Sequence, residues 1–160
     1  QALIQHPAAN SQIDGNDIVE LGQINVGMAV AVPDGVVVPV VHGTDQLELA
    51  EIAMETSRLA EAARNKKLSL AEMEGGTFSV TALGMYGVDA FTPVINPPNS
   101  GILGVGRIRD DVDWDGDTPV KVKRMTISLT WDHRVLDGAP AAEFAATIKS
   151  FLEQPLRLLA

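Results

Sequence analysis

The nine residues Trp131-Asp132-His133-Arg134-Val135-Leu136-Asp137-Gly138-Ala139 stand between a strand-like run, Val120 to Thr130, and a helix-like segment from about Pro140 to Glu153. A strand passing into a helix through so short a turn asks for a sheet with helices on it, and it puts His133 at the sheet edge, where a rigid support can present a reactive side chain. Histidine changes charge near neutral pH, so it can take a proton from a nucleophile and return it within a turnover. Of the chain's three histidines, His6, His42 and His133, only the last has an arginine, aspartates and a glycine around it. Taken alone, it reads as a loop histidine paired with Asp132 or Asp137.

The rest of the chain supplies the other parts of such a sheet. Gln1 to His6 reads as the end of a helix cut off by Pro7. Ile13 to Val19 has the turn chemistry of a short hairpin, with Asp14-Gly15 and Asn16-Asp17 between apolar flanks. Ile24 to Val32 and Val36 to Val41 are β-branched runs joined by Pro33-Asp34-Gly35, a second hairpin with both runs expected to be buried. From about Leu47 to Asn65 the apolar residues recur at helical spacing. A short helix should start at Ser69, which has capping-box spacing with Glu72, and stop at Gly75-Gly76. Strands are predicted at Thr77 to Ala82, Phe91 to Ile95, Gly101 to Ile108 and Val120 to Thr130. Strands with helices interspersed rather than alternating describe an α+β fold, a mixed β-sheet covered by helices.

Composition excludes several functions. With 160 residues, 46% of them apolar, the chain can bury a core as one domain. It has no cysteine, hence no disulfide, thiolate zinc site or cysteine nucleophile. His133 and Asp137 have no neighbouring histidine to complete a metal site. A net charge of −9 argues against binding nucleic acid or an acidic membrane surface. No apolar stretch is long and uncharged enough to span a membrane. An anionic cofactor would need a local basic site; Arg107, Arg109, Lys121, Lys123 and Arg124 could form one, although alternation along an exposed strand explains them too. Gly84, Gly87, Gly104 and Gly106 do not have the G-x-G-x-x-G spacing of a dinucleotide loop.

Three ordered blocks carry a resemblance. The turn at His133 is similar to the D-H-R-x-x-D-G signature of the dihydrolipoamide acyltransferases, the core components of 2-oxo acid dehydrogenase complexes, whose catalytic domain is built like chloramphenicol acetyltransferase. Gly75-Gly76-Thr77-Phe78-Ser79-Val80-Thr81-Ala82-Leu83-Gly84-Met85-Tyr86-Gly87, with Ile95-Asn96-Pro97-Pro98 and Ile102-Leu103-Gly104-Val105-Gly106, resembles that family's second block, and Asn25 to Val40 resembles its hairpin. The resemblance implies a catalytic domain over 1–160 that lacks its N-terminal part, with lipoyl and subunit-binding domains outside this chain. It implies transfer of an acyl group from S-acyl-dihydrolipoamide to coenzyme A, the nucleophilic sulfur being the substrate's. His133 would be the general base and Thr81, where the family has serine, the oxyanion donor. Asp137 would hold the loop through an arginine, for which Arg134 is a candidate here. Gly138 would let the chain turn into the last helix without a Cβ clash, and Asn96 would lie beside the active-site channel. Met85-Tyr86-Gly87 and the Asn-Pro-Pro turn look more like acetyl-transferring members, serving pyruvate or acetoin, than branched-chain ones. The resemblance also implies a homotrimer within a larger core, with each site between two subunits, dehydrogenase components as partners, and a bacterial cytoplasmic or mitochondrial matrix location. Two rival readings are an assembly fragment without turnover and a hydrolase using Thr81, His133 and Asp137, for which the G-x-S-x-G elbow is missing.

Overall fold

The computed structural model describes residues 1–158. A first helical turn, α1 (Ala2–Gln5), stops where Pro7 opens a 3₁₀ turn over Pro7–Asn10. Strands β1 (Ser11–Asp14) and β2 (Asp17–Glu20) form the expected hairpin, with Gly15 at a φ of 60° in its turn. Then follow β3 (Val26–Met28), β4 (Val30–Val32), β5 (Gly35–Val37), β6 (Val40–Val41) and α2 (Leu49–Arg64). The second half holds β7 (Phe78–Ala82), β8 (Gly101–Val105), β9 (Arg109–Asp115), β10 (Thr118–Arg124), β11 (Ile127–Trp131) and α3 (Gly138–Glu153).

The central sheet has five strands in the order β11-β8-β7-β3-β6. β3, β7 and β8 run parallel, while β6 and β11 pair antiparallel at the two edges, so the sheet is mixed as the sequence predicts. Alternation gives the sheet two different faces. On one, Phe78, Val80, Leu103, Val105, Ile127 and Leu129 pack with Leu3, Ala9 and Phe144 under α1 and α3. On the other stand Ser79 and Thr81, with Gly27 beside Ser79 and Gly104 beside Thr81 in the register. Phe144 is 1% exposed and meets Phe78 edge-on at 5.6 Å, and His6 joins α1 to α3 by a 2.8 Å hydrogen bond to Thr147. Truncating Phe144 to alanine should cost about 3–5 kcal/mol, read as a lower urea midpoint with an unchanged slope.

Several elements differ from the sequence expectation. The run Val36 to Val41 is not buried throughout: β4 and β5 form a separate ribbon and Val36 is 66% exposed. Phe91 to Ile95 forms no strand, because Phe91 and Pro93 lie across the sheet as a cover rather than within it. The run Val120 to Thr130 breaks at Met125-Thr126, where the Thr126 carbonyl accepts from the Gly106 amide at 2.9 Å. β9, rich in aspartate, has no counterpart among the expected strands; it is held by pairing with β10, where Lys121 and Lys123 reach Asp110 and Arg124 reaches Asp111 and Asp113. The capping box at Ser69 forms as expected, and it draws the Glu72 carboxyl down to about 2 through hydrogen bonds from the Ser69 hydroxyl and backbone amide.

Candidate active site

His133 sits in a turn fastened at both ends. At the start, the Asp132 backbone amide donates to the Ser100 carbonyl at 2.8 Å. At the end, the Trp131 indole N–H donates to the Leu136 carbonyl at 2.9 Å, and Leu136 is itself buried in the core. The tethered loop leaves the His133 side chain 69% exposed, with Nδ1 3.8 Å from the Asp137 carboxylate and the ring tilted against Trp131. That separation is beyond a hydrogen bond.

Arg134 does not pair with Asp137. It grips Asp132 instead, through its backbone amide at 2.9 Å, Nε at 3.0 Å and an Nη at 2.6 Å, and it holds the Asp132 carboxyl below the usual carboxylate range. The pair is local because two residues of a tight turn reach each other before either reaches the next turn. Asp137 is the N-cap position of α3, yet its side chain makes no capping bond. Gly138 is not needed for clearance within this chain: a Cβ there would meet nothing within 4 Å.

Thr81 lies elsewhere. It is on β7, level with Gly104 of β8, and Gly104 is level with Ser128 of β11. His133 comes after Trp131, which is level with Gly101 at the opposite end of β8. At about 3.3 Å per residue, Thr81 and His133 of one chain are separated by on the order of 15 Å along the strands. Thr81 opens instead into a cavity of about 430 Å³ whose walls are Ala29, Val36, Val38, Phe91, Pro93 and Ile102, together with the segment through Asn96. Glycines make this cleft narrow. A Cβ on Gly27 would come within 2.8 Å of Val38, and one on Gly104 within 3.1 Å of Phe91 and 3.2 Å of Pro93. Both covering segments therefore lie almost on the backbone of the sheet.

Asn96 lies on the wall of the Thr81 cleft. Its carbonyl accepts from the Asn99 amide at 3.0 Å, closing a turn over a cis Pro97-Pro98 bond. Sequence reasoning missed Val38, Phe91 and Pro93 as cleft walls. The basic residues considered for an anion site are engaged: Arg107 pairs with Asp89 at 2.5 Å, Arg109 with Asp111 at 3.4 Å, and the rest pair across the β9–β10 ribbon. Among the described residues, no three histidine and carboxylate side chains come together as a metal site.

A mixed sheet with helices packed on it has the chloramphenicol acetyltransferase class of fold. A solved chloramphenicol acetyltransferase matches with a TM-score of 0.53 at 16% identity, over 94% of this chain and 72% of that one. The family is narrower. The model of the 2-oxoacid dehydrogenases acyltransferase (catalytic domain) matches residues 1–160, and the chain belongs to that family. It is 42% identical over 158 residues to the dihydrolipoyllysine-residue acetyltransferase component of the acetoin cleaving system of Bacillus subtilis, covering 99% of this chain and 40% of that protein. It is 43% identical over 159 residues to the dihydrolipoyllysine-residue succinyltransferase component of the 2-oxoglutarate dehydrogenase complex of Bartonella vinsonii, covering 99% and 38%. The chain thus spans about two fifths of the length of these curated relatives.

Among solved structures, it superposes on the dihydrolipoamide acetyltransferase of Azotobacter vinelandii with a TM-score of 0.93 at 36% identity, over 99% of this chain and 66% of that one. The cubic core of the pyruvate dehydrogenase multienzyme complex gives a TM-score of 0.93 at 37% identity, with the same coverage. The catalytic mechanism of the Azotobacter enzyme has been investigated through a serine, a histidine 52 positions later and an asparagine 4 positions beyond that.

Proposed function

We propose that this chain transfers an acyl group from S-acyl-dihydrolipoamide to coenzyme A, using His133 of one subunit and Thr81 of the next. The observation that carries the reading is a spacing: Thr81, His133 and Asp137 repeat the 52- and 4-residue separations of the serine, histidine and asparagine studied in the Azotobacter enzyme. Sharing of the site between subunits is supported by the distance between the two halves within one chain. It is also supported by apolar side chains at the Thr81 end that nothing among the described residues covers: Val36 and Val94 on the cleft wall, and Met85 and Tyr86 just beyond β7. A closed ring of copies would bring the histidine end of one chain to the hydroxyl end of its neighbour. The reading carries with it a homotrimer within a larger core, lipoyl groups on separate domains, and dehydrogenase components as partners. It also carries the bacterial cytoplasm or the mitochondrial matrix as location.

The chemistry runs as follows. The ring of His133 takes the proton of the coenzyme A thiol, and the thiolate attacks the acyl carbonyl carbon. The carbonyl electron pair moves onto oxygen, where the Thr81 hydroxyl donates a hydrogen bond to the oxyanion. Collapse breaks the bond to the dihydrolipoamide sulfur, which leaves with the proton from the imidazolium. The Asp137 carboxylate stands 3.8 Å from the ring's Nδ1. Threonine retains the hydroxyl of serine but has a stiffer χ1, so its donor is aimed by the backbone of β7.

Acetyl is the preferred acyl group on this reading, because the Thr81 cleft offers no cation among its lining residues to meet the carboxylate of a succinyl group. Turnover should be measured with acetyl-, isobutyryl- and succinyl-dihydrolipoamide. Acetyl should lead and succinyl should be slower by about tenfold or more; equal rates with succinyl would overturn the preference. His133→Ala should lower coenzyme A-dependent transfer by about 10²- to 10⁴-fold with the oligomer intact. Near-normal transfer by that variant would remove His133 from the base role, and hydrolysis without coenzyme A would favour the hydrolase reading.

A further inference from the structure

Trp131 stands just outside the D-H-R-x-x-D-G signature, and the acyl-transfer chemistry gives it no part. It is the last residue of β11, and alternation with Ile127 and Leu129 turns its indole to the helix-covered face, where it packs against the core. The imidazole beside it is loosely held by its charged neighbours. Asp137 stands beyond hydrogen-bond distance at 3.8 Å, and Arg134 is engaged with Asp132, so neither fixes the ring.

The turn is built on the Asp132 carbonyl, which accepts from the amides of Val135 at 2.9 Å and Leu136 at 3.2 Å and leaves His133 and Arg134 at the crown. Its sheet end is fixed through the backbone: the Asp132 amide donates to the Ser100 carbonyl, and the buried Ser100 hydroxyl donates to the carbonyl of the buried Ser11 at 2.5 Å. Its helix end has no such seam. The first carbonyl that α3 uses is that of Asp137, which accepts from the Ala141 amide at 3.1 Å, and the Asp137 side chain makes no cap. The Leu136 carbonyl therefore lies outside the helix, and it is the Trp131 indole that reaches it, at 2.9 Å across five residues. The same indole lies 6.0 Å from the imidazole, centroid to centroid, at an interplanar angle of 38°. Aromatic rings attract one another at such separations.

We propose that Trp131 is a positioning residue for His133, its indole N–H closing the turn at the Leu136 carbonyl and its ring limiting the swing of the imidazole. This rests on the reading of His133 as the base. One side chain anchored in the core thus controls both freedoms of the histidine, the shape of the loop that carries it and the rotation of the ring on that loop. Trp131 moves no proton and acts through His133 alone. Its loss lowers the fraction of bound complexes in which the imidazole faces the thiol, so it reduces kcat and leaves substrate affinity as it was.

The test is steady-state transfer from S-acetyl-dihydrolipoamide to coenzyme A by the intact oligomer. Trp131→Phe, which keeps a ring and loses the N–H, should lower kcat by about tenfold, and Trp131→Leu, which loses both, by about a hundredfold. Both KM values should stay within about twofold. In a His133→Ala background Trp131→Phe should change the residual rate by less than about twofold, because there is no base left to position. An equal loss in both backgrounds, a loss confined to KM, or an unchanged kcat overturns the proposal. A second measurement needs no change at Trp131 and decides the matter should Trp131→Leu fail to fold. In a Trp114→Phe oligomer, which leaves Trp131 as the only indole, emission should fall as the pH is lowered through the histidine range, because a protonated imidazole quenches a neighbouring indole. The step should vanish with His133→Gln, whereas Asp132, Arg134 and Asp137 remain as the charged groups of the turn; the same step in both chains overturns the contact. Transfer lost with His133→Ala but not with Trp131→Phe sinks Trp131 alone and keeps the base. An emission step that depends on His133 in an oligomer whose transfer does not removes the base and leaves the contact standing without a positioning role.

Discussion

Oligomers formed by unfolding and refolding equal amounts of His133→Ala and Thr81→Val chains together should recover about a quarter of wild-type turnover, although each parent alone has almost none. A site is competent when its histidine comes from the Thr81→Val chain and its hydroxyl from the His133→Ala chain. Random placement satisfies each condition half the time, whatever the ring size. The parents fall far below that level, His133→Ala for want of a base and Thr81→Val by roughly a hundred- to a thousandfold for want of an oxyanion donor. Recovery well above the parents' average fixes the site between chains. Activity no higher than that average would mean that both residues act within one chain, and the separation of Thr81 from His133 along β7, β8 and β11 would then have to close by refolding of the sheet.

The second large effect concerns stability. Gly106→Ala should lower the unfolding free energy by about 4 kcal/mol or more, or leave no soluble chain. A Cβ at this position would sit 2.0 Å from the Asp89 carbonyl oxygen and 3.1 Å from that of Thr126, and both obstacles are backbone. Gly84 packs back against the same place, 2.7 Å from the Gly106 oxygen for a Cβ of its own. These two glycines fasten the segment that carries Phe91 and Pro93 over the Thr81 cleft. Gly138→Ala is the control, since a Cβ there meets nothing and alanine suits the first turn of a helix. It should change stability by less than about 0.5 kcal/mol. Equal urea midpoints for the two variants would refute the packing account.

Helices were the most legible part of the sequence. The spacing over Leu47 to Asn65 and Pro140 to Glu153 gives α2 and α3 to within two residues at each end, and the Ser69–Glu72 pair forms its capping box. Strand edges were harder, for local reasons. Asp110, Asp111, Asp113 and Asp115 are poor strand formers, and β9 is held by its pairing with β10, to which Lys121, Lys123 and Arg124 add ion pairs to Asp110, Asp111 and Asp113. Phe91 to Ile95 has strand composition but covers the sheet face opposite the core, a role that no local pattern distinguishes from pairing. At the site, the histidine turn and the hydroxyl strand are both visible as motifs. Their separation is not, because it depends on the parallel register of β7 with β8. Ser79 could have been found with Thr81, since Phe-Ser-Val-Thr-Ala alternates and puts both on one face.

That alternation divides the work of the sheet. The face bearing Phe78, Val80, Leu103 and Leu129 carries the core cluster under the helices, while the opposite one sets the small residues Gly27, Ser79, Thr81 and Gly104 among the buried Val40 and Ile102. Val36, 66% exposed on the cleft wall, can therefore be exchanged for a larger or smaller side chain from outside, with the floor beneath it unchanged. A lineage could shift from one acyl group to another by such replacements and never have to solve the folding of the chain again.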